Sequence, residues 1–343
     1  MKKLLNTLYI TTPDRYLSLD GENVVIQSDG KEIGRVPLHN IERIMTFGYT
    51  GASPGLMGKC ARDGIELVFM SGSGRFLARV EGEVNGNVLL RRQQYRFADD
   101  GQKSLAIARN IICAKLFNSR WTVERTMRDH TMRIDTDKFG SCSELLQNSI
   151  KNAKEAGDID SLRGIEGEAA QIYFSVFDDM ILQQKDDFSF GTRSKRPPRD
   201  NVNALLSFAY SLAAGMCASS LEAVGLDPYV GYMHTDRPGR RSLALDLVEE
   251  FRAPLCDRFV LTLINKKMIS PNDFDKREDG AVLLNDSGRR TFITAWQKRK
   301  DEELRHPFMD EKMPWGILPY AQALLLARYI RGDLDAYPPF MWK

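Results

Sequence analysis

Through residues 1–95 apolar and polar positions alternate, and turn-forming residues interrupt them at intervals, the pattern of short half-buried strands. Val24-Val25-Ile26 leads into Asp29-Gly30 and then Ile33–Leu38, a strand, tight turn and strand in succession. Ile65–Met70 predicts another strand, ended by Ser71-Gly72-Ser73-Gly74, and Phe76–Val80 and Val84–Leu90 flank a glycine-containing turn. Between them Pro54–Asp63 predicts one short helix, with Pro54 near its start and Gly64 past its end. Pro37 donates no backbone hydrogen bond, so its strand belongs at an edge or at a strand end. The expected unit is a small β-sandwich or rolled sheet.

The period changes near Tyr95–Gly101, a polar, turn-prone stretch that predicts a linker over 96–102. Leu105, Ala108, Ile112 and Leu116 then fall on one helical stripe, as do Ile165, Ala169, Ile172, Val176 and Met180. Pro197-Pro198 breaks the helical region, Asp200 can cap the next helix, and Gly225-Leu226-Asp227-Pro228 ends it. The remainder reads as almost entirely helical, with an extended tail from Asp335 to Lys343. The fold class is therefore α+β: an N-terminal β-sandwich domain over 1–95 and a larger all-α domain over 103–343.

A chain of 343 residues exceeds one ordinary core, which agrees with two domains. No run approaches the ~18 consecutive apolar residues of a membrane span. Met1-Lys2-Lys3-Leu4-Leu5-Asn6 lacks the apolar stretch of roughly 7 residues that a signal peptide requires, so a cytoplasmic protein without membrane attachment is expected. Five scattered cysteines (Cys60, Cys113, Cys142, Cys217, Cys256) form no CxxC pair, which argues against a zinc ribbon and for buried thiols. A net charge of +2 is unremarkable, but the basic residues cluster. Arg193, Lys195, Arg196 and Arg199 lie within one stretch, and Arg237, Arg240 and Arg241 within another. Such clusters neutralise phosphates even where the sum is balanced.

Three places carry candidate chemistry. Glu166, in Leu162-Arg163-Gly164-Ile165-Glu166-Gly167, sits on the shoulder of an apolar stripe between two glycines, which suit the close approach of a bulky partner or of another helix. His234 enters a basic loop, His234-Thr235-Asp236-Arg237-Pro238-Gly239-Arg240-Arg241. Asp246, Glu249 and Glu250 follow on a helix, on the face opposite Ala244, Leu247, Val248 and Phe251. One imidazole with several carboxylates suits Mg²⁺ or Mn²⁺ better than structural zinc, and such an ion serves phosphodiester chemistry. The chain has neither a GxxxxGK[ST] nucleotide loop nor a GxSxG nucleophile elbow.

The segments LRGIEGEAAQIYF (162–174), NVNALLSFAYSL (201–212), GLDPYVGYMHTDRPGR (225–240) and SLALDLVEEFR (242–252) resemble the universal spacer integrase of CRISPR adaptation, a family of CRISPR-associated endonucleases. GRFLARVEGEVNGNVLLRRQQY (74–95) is similar to the same family, and ALLLARYIRGDLDAYPPFMWK (323–343) to its type I-C branch. The resemblance implies an N-terminal β-sandwich that dimerises and a helical catalytic domain. It implies Mg²⁺ or Mn²⁺ held by Glu166, His234 and Glu249, with Asp246 in the active-site region and Glu250 close enough to compete with Glu249.

The implied reaction is transesterification, in which the 3′-OH of a captured double-stranded DNA fragment attacks a phosphodiester at a CRISPR repeat; attack by water instead gives nuclease activity. Arg163, Arg193, Lys195, Arg196, Arg237, Arg240 and Arg241 are the candidate phosphate contacts. The implied partners are a second copy of the chain, the small second CRISPR-associated protein in a heterohexamer, and an iron–sulfur CRISPR nuclease. A nuclease acting only by hydrolysis would use the same carboxylates. A noncatalytic nucleic-acid scaffold would need the arginines and no metal ligands.

Overall fold

The computed structural model describes residues 7–71, 76–82 and 88–343. The chain forms two compact units: Met1–Asn85 with Asn272–Asp275 and Leu283–Asp301, and Gly86–Pro271 with Lys276–Val282 and Glu302–Lys343.

In the first unit β1 (Thr7–Ile10), β2 (Arg15–Asp20), β3 (Asn23–Ser28), β4 (Lys31–Pro37), β5 (Arg43–Phe47), β6 (Thr50–Ala52), β7 (Glu66–Met70) and β8 (Phe76–Val80) form two four-stranded sheets. One has the order β4-β3-β2-β6 and the other β1-β5-β7-β8. The expected hairpin is β3–β4: Asp29 and Gly30 both take positive φ (51° and 72°), as a tight primed turn requires. Pro37 is the last residue of β4, an edge strand. The expected helix is α1 (Pro54–Asp63). Ser53 caps it by accepting from Leu56 N, and Gly64 closes it at φ 69°.

Leu17 and Val24 of one sheet, Ile44 and Leu67 of the other, and Leu56 and Cys60 of α1 are fully buried in one core. Each large side chain there contributes about 1.5–3 kcal/mol relative to exposure. The parallel pairings β1–β5, β5–β7 and β2–β6 join strands distant in sequence.

The second unit holds α2 (Val88–Asp99), α3 (Gly101–Asp129), α4 (Thr136–Glu155), α5 (Ile159–Ser175), α6 (Asn201–Ala223), α7 (Ser242–Val248) and α8 (Arg258–Asn265). Two expectations change here. The strand expected over Val84–Leu90 falls partly outside the described residues, and from Val88 it is helix α2. The linker expected over 96–102 is the end of α2, then Asp100, which caps α3 through Gln102 N and Lys103 N. Leu90, Gln94 and Phe97 are the buried face of α2 at helical spacing. Gln94 is polar, so the stripe is easily missed. Its amide accepts from Asp227 N and donates to the carbonyls of Asp227 and Val230, which fixes the chain just ahead of His234.

α6 is long and apolar enough to cross a membrane by length and composition, with mean hydropathy 1.5, but most of it is buried inside this unit. α9 (Asp286–Asp301), expected within the helical domain, belongs instead to the first unit: Gln297 and Lys300 reach the Thr7 carbonyl and hydroxyl. The C-terminal part is also less uniformly helical than expected, since Glu303–Arg305 pairs antiparallel with Lys312–Pro314. α10 (Leu318–Arg331) follows, and the tail beyond it turns and bends through 332–336 and then runs without regular secondary structure, with Tyr337 and Phe340 buried. All five cysteines are buried and none is in a disulfide.

Candidate active site

Asp158 starts α5 by accepting from Ser161 N, and Leu162, Ala169 and Tyr173 are its buried residues. Glu166 falls between them at helical spacing, so the carboxylate stands within the buried stripe rather than on its shoulder. Of the stripe expected through Ile165, Ala169, Ile172, Val176 and Met180, Ala169, Val176 and Met180 are buried. Ile165 and Ile172 are only half-buried, and α5 ends before Val176. A Cβ added at Gly164 or Gly167 would meet nothing within 4 Å, so helix packing does not require these glycines.

His234 is set by Asp246 of α7, whose side chain is fully buried. Asp246 Oδ2 accepts from Tyr232 N (2.7 Å) and Met233 N (3.0 Å). Oδ1 accepts from His234 N (2.9 Å) and lies 2.6 Å from His234 Nδ1. A carboxylate only accepts, so Nδ1 carries the proton, and the neutral ring then has its lone pair on Nε2. The loop wraps the carboxylate closely: a Cβ on Gly231 would lie 2.9 Å from Asp246 Oδ2 and 2.8 Å from Ser242 Cβ. Arg163 braces the same loop from α5, donating to Met233 O through Nε (3.3 Å) and Nη2 (2.7 Å).

Asp246, Glu249 and Glu250 do not form the polar face expected of them; all three are buried. α7 stops at Val248 and a π-helical turn containing Pro254 follows over Arg252–Asp257; the two glutamates between them diverge, as adjacent residues of a helical turn do. Glu249 Oε1 pairs with Arg252 (3.0 Å), and Oε2 lies 2.8 Å from Lys115 Nζ. Burial alone would raise its carboxyl, but the charges of Arg252 and Lys115 prevail and hold it at about 2. Glu250 faces the tail instead, accepting from Tyr337 Oη (2.6 Å), Gln322 Nε2 (2.8 Å) and Phe340 N (2.7 Å). With no cation beside it, burial raises it to about 7 despite those bonds.

Glu166, His234 and Glu249 line one cleft of about 460 Å³, together with Lys195, Arg237 and Arg240. Arg163 and Arg252 line it too. A second cavity of about 250 Å³ shares Glu166, Lys195 and Arg252 and adds Lys115 and Arg193. Lys195 is depressed by burial and by the neighbouring Arg252 and Arg193, the signature of cations gathered without enough anions. Of the expected phosphate contacts, Arg196 and Arg241 line neither cavity. Arg193 is already engaged with Asn203 Oδ1 and Ser207 Oγ.

Residues 8–298 match the family described as CRISPR associated protein Cas1. The chain belongs to the Cas1 family. The CRISPR-associated endonuclease Cas1 1 of Chlorobaculum tepidum is 50% identical over 343 residues, covering all of both chains. A CRISPR-associated exonuclease Cas4/endonuclease Cas1 fusion of Geobacter sulfurreducens is 35% identical over 98% of this chain and 60% of its own length.

Among solved structures, a CAS1 protein from Thermotoga maritima shares the fold at TM-score 0.81 and 23% identity, over 95% of this chain and 97% of that one. A casposase bound to its integration product does so at 0.84 and 20%, over 98% and 94%. A chain of a Cas6-RT-Cas1–Cas2 complex matches at 0.82 and 21%, over 100% of this chain and 36% of that one.

Two charged residues of this Cas1 chain escaped the sequence reading. Lys115 interrupts the buried face of α3 with an ammonium, and Arg252 sits one turn beyond Glu249. The signal for both is a long cation at a buried helical position. Arg252 is held over the Tyr210 ring (5.0 Å), and Tyr210 and Tyr173 donate to buried Asp257 at 2.6 and 3.0 Å. Burial raises Asp257 to about 6.

A divalent cation suits this Cas1 site by donor type: two carboxylates and one oriented imidazole. Glu249 Oε2 is buried and lies 2.8 Å from Lys115 Nζ. Among the described residues no three such ligands converge as they stand; Lys115 occupies the space between Glu166 and Glu249.

Proposed function

We propose that this chain is a metal-dependent DNA integrase of CRISPR adaptation, joining the 3′-OH of a captured duplex to a phosphodiester of the repeat. The observation that carries the reading is the single cleft lined by Glu166, His234 and Glu249 and by Lys195, Arg237 and Arg240. Two carboxylates and an imidazole beside phosphate-binding cations are a donor set suited to a divalent ion at a phosphodiester. Mg²⁺ or Mn²⁺ held by Glu166, His234 and Glu249 would stabilise charge on the attacked phosphate and on the attacking and leaving oxygens.

The chain's own residues do the rest. Asp246 holds His234 in one tautomer, Arg252 keeps Glu249 ionised, and Lys195, Arg237 and Arg240 hold the backbones of both DNAs. As the 3′-oxygen bonds to phosphorus, the bond from that phosphorus to the repeat's own 3′-oxygen breaks. The leaving oxygen takes up a proton to match the one the attacking hydroxyl gave up. The number of phosphodiesters is unchanged, so no nucleotide energy source is needed. Water in place of the 3′-OH gives hydrolysis from the same site.

The reading includes a Cas2 partner, as in the Cas6-RT-Cas1–Cas2 neighbour, and a Cas4 nuclease, as in the fused relative; it also includes a second copy of the chain and action in the cytoplasm. The fold shared with a casposase solved on its integration product supports joining over cleavage alone.

A strand-transfer assay tests it, with a labelled duplex bearing 3′-OH ends, a repeat-containing plasmid, Mn²⁺ and Cas2. Joined product from the wild type, abolished in Glu166→Ala, His234→Ala and Glu249→Ala, is expected. Cleavage without joining would leave a hydrolytic nuclease, and joining by any of the three variants would mean that the site is elsewhere.

A further inference from the structure

Lys115 projects from α3 between the two carboxylates of the cleft. Its ammonium contacts Glu166 Oε1 and lies 2.8 Å from Glu249 Oε2, and its side chain is only 11% exposed. Bulk water therefore does little to solvate it, and the two carboxylates are its partners. With Arg252 on Glu249 Oε1, the cluster of two anions and two cations is already neutral without any ion. A divalent ion on the same carboxylates would compete with the ammonium for their oxygens. If Lys115 stayed, the ion would leave the cluster with two excess positive charges in a mostly buried place, where repulsion is poorly screened.

We propose that Lys115 is a tethered counter-cation: its ammonium holds the place between Glu166 and Glu249, and a divalent ion binds both carboxylates only as that ammonium withdraws. The inference rests on the metal reading of Glu166, His234 and Glu249. Lysine suits the role because its charge is compact and its stem flexible, whereas a guanidinium forks onto carboxylates and stays. The space for withdrawal is the adjoining cavity of about 250 Å³, which Lys115 lines with Arg193 and Lys195. There the ammonium joins other cations, and a DNA phosphate gives it a partner. Metal binding and DNA binding thereby favour one another, as linkage requires.

The test is calorimetric titration of Mn²⁺ into the metal-free full chain of the wild type, Lys115→Met, Lys115→Arg and Glu166→Ala. Removing the competitor should tighten Mn²⁺ binding by about 10–100-fold in Lys115→Met, the range in which residues behind metal ligands act. Lys115→Arg should not tighten it. The wild type supplies a second readout that needs no variant. Acetic anhydride labelling read by mass spectrometry should find Lys115 protected without metal and reactive at saturating Mn²⁺.

Equal or weaker Mn²⁺ binding by Lys115→Met overturns the proposal, as does Lys115 reactivity that Mn²⁺ leaves unchanged. In both cases Mn²⁺ bound by the wild type and lost in Glu166→Ala would leave the metal reading intact. Wild-type protein that takes up no Mn²⁺, or takes it up equally with Glu166→Ala, would overturn the metal reading itself.

Discussion

Replacing Asp246 by asparagine keeps the size of a fully buried side chain and removes half of its accepting capacity. Asp246 receives four hydrogen bonds, from the backbone N–H groups of Tyr232, Met233 and His234 and from His234 Nδ1. A carboxamide offers one oxygen and one NH₂. Turned one way, its NH₂ opposes Tyr232 and Met233; turned the other, it opposes His234 N and Nδ1. The first orientation loses two of the four bonds, and the second loses one and reverses the one to Nδ1, so at about 1.5–3 kcal/mol for a bond to a charged group the cost is about 1.5–6 kcal/mol. The second orientation also drives the imidazole to the tautomer with its proton on Nε2, which leaves no lone pair there.

Strand transfer by Asp246→Asn is therefore expected to fall by about 10²- to 10⁴-fold, and Mn²⁺ affinity by about 10–100-fold. The far-ultraviolet circular dichroism should stay that of the wild type. The rate would be measured in single turnover with pre-annealed repeat DNA, and Mn²⁺ binding by calorimetry. A variant that joins DNA at the wild-type rate would refute the argument that Asp246 sets the tautomer of His234.

Three further outcomes follow from the same geometry. Gly231→Ala places a methyl 2.9 Å from Asp246 Oδ2, so it should lower stability to urea by about 1–3 kcal/mol and abolish strand transfer, through overpacking rather than altered chemistry. Glu250, held near 7 in the folded chain against 4.5 for an ordinary glutamate, binds its proton more tightly when folded. Its contribution to stability is therefore full below about pH 4.5 and declines to about pH 7, by about 3 kcal/mol at 1.36 kcal/mol per pH unit. Urea unfolding in EDTA across that window should show a decline in the wild type that is about 3 kcal/mol shallower in Glu250→Gln, where Asp257, raised to about 6, still contributes. Finally, alanine at Lys195, Arg237 or Arg240 should flatten the dependence of log K for duplex DNA on log salt by about 0.9 for each phosphate no longer neutralised, read by fluorescence anisotropy.

Much of the local structure was legible because its causes lie within about ten residues of one another. Asp29-Gly30 makes its own turn between β3 and β4, and Ser53, Pro54 and Gly64 begin and end α1 wherever that helix is placed. Leu105, Ala108, Ile112 and Leu116 are all buried, as their spacing predicted. The misreadings arose where a polar residue completes a buried face, as Gln94 does in α2, or where a segment joins a distant unit, as α9 does. The motifs singled out Glu166, His234, Asp246 and Glu249, but not what Asp246 touches. Asp246 proves to be the acceptor that orients His234, and Arg163, read as a phosphate contact, also braces the histidine loop.

The order of apolar and polar residues, the caps and the turns are set by neighbouring residues, so the chain alone determined an α+β protein with a β-sandwich and a larger helical unit. Which of two adjacent glutamates enters the cleft was decided only by the tertiary structure. Arg252 and Lys115 keep Glu249 charged, and Tyr337, Gln322 and Phe340 receive Glu250. Desolvation and the charge of distant neighbours set those fates, and both depend on segments brought together by packing, not on spacing along the chain.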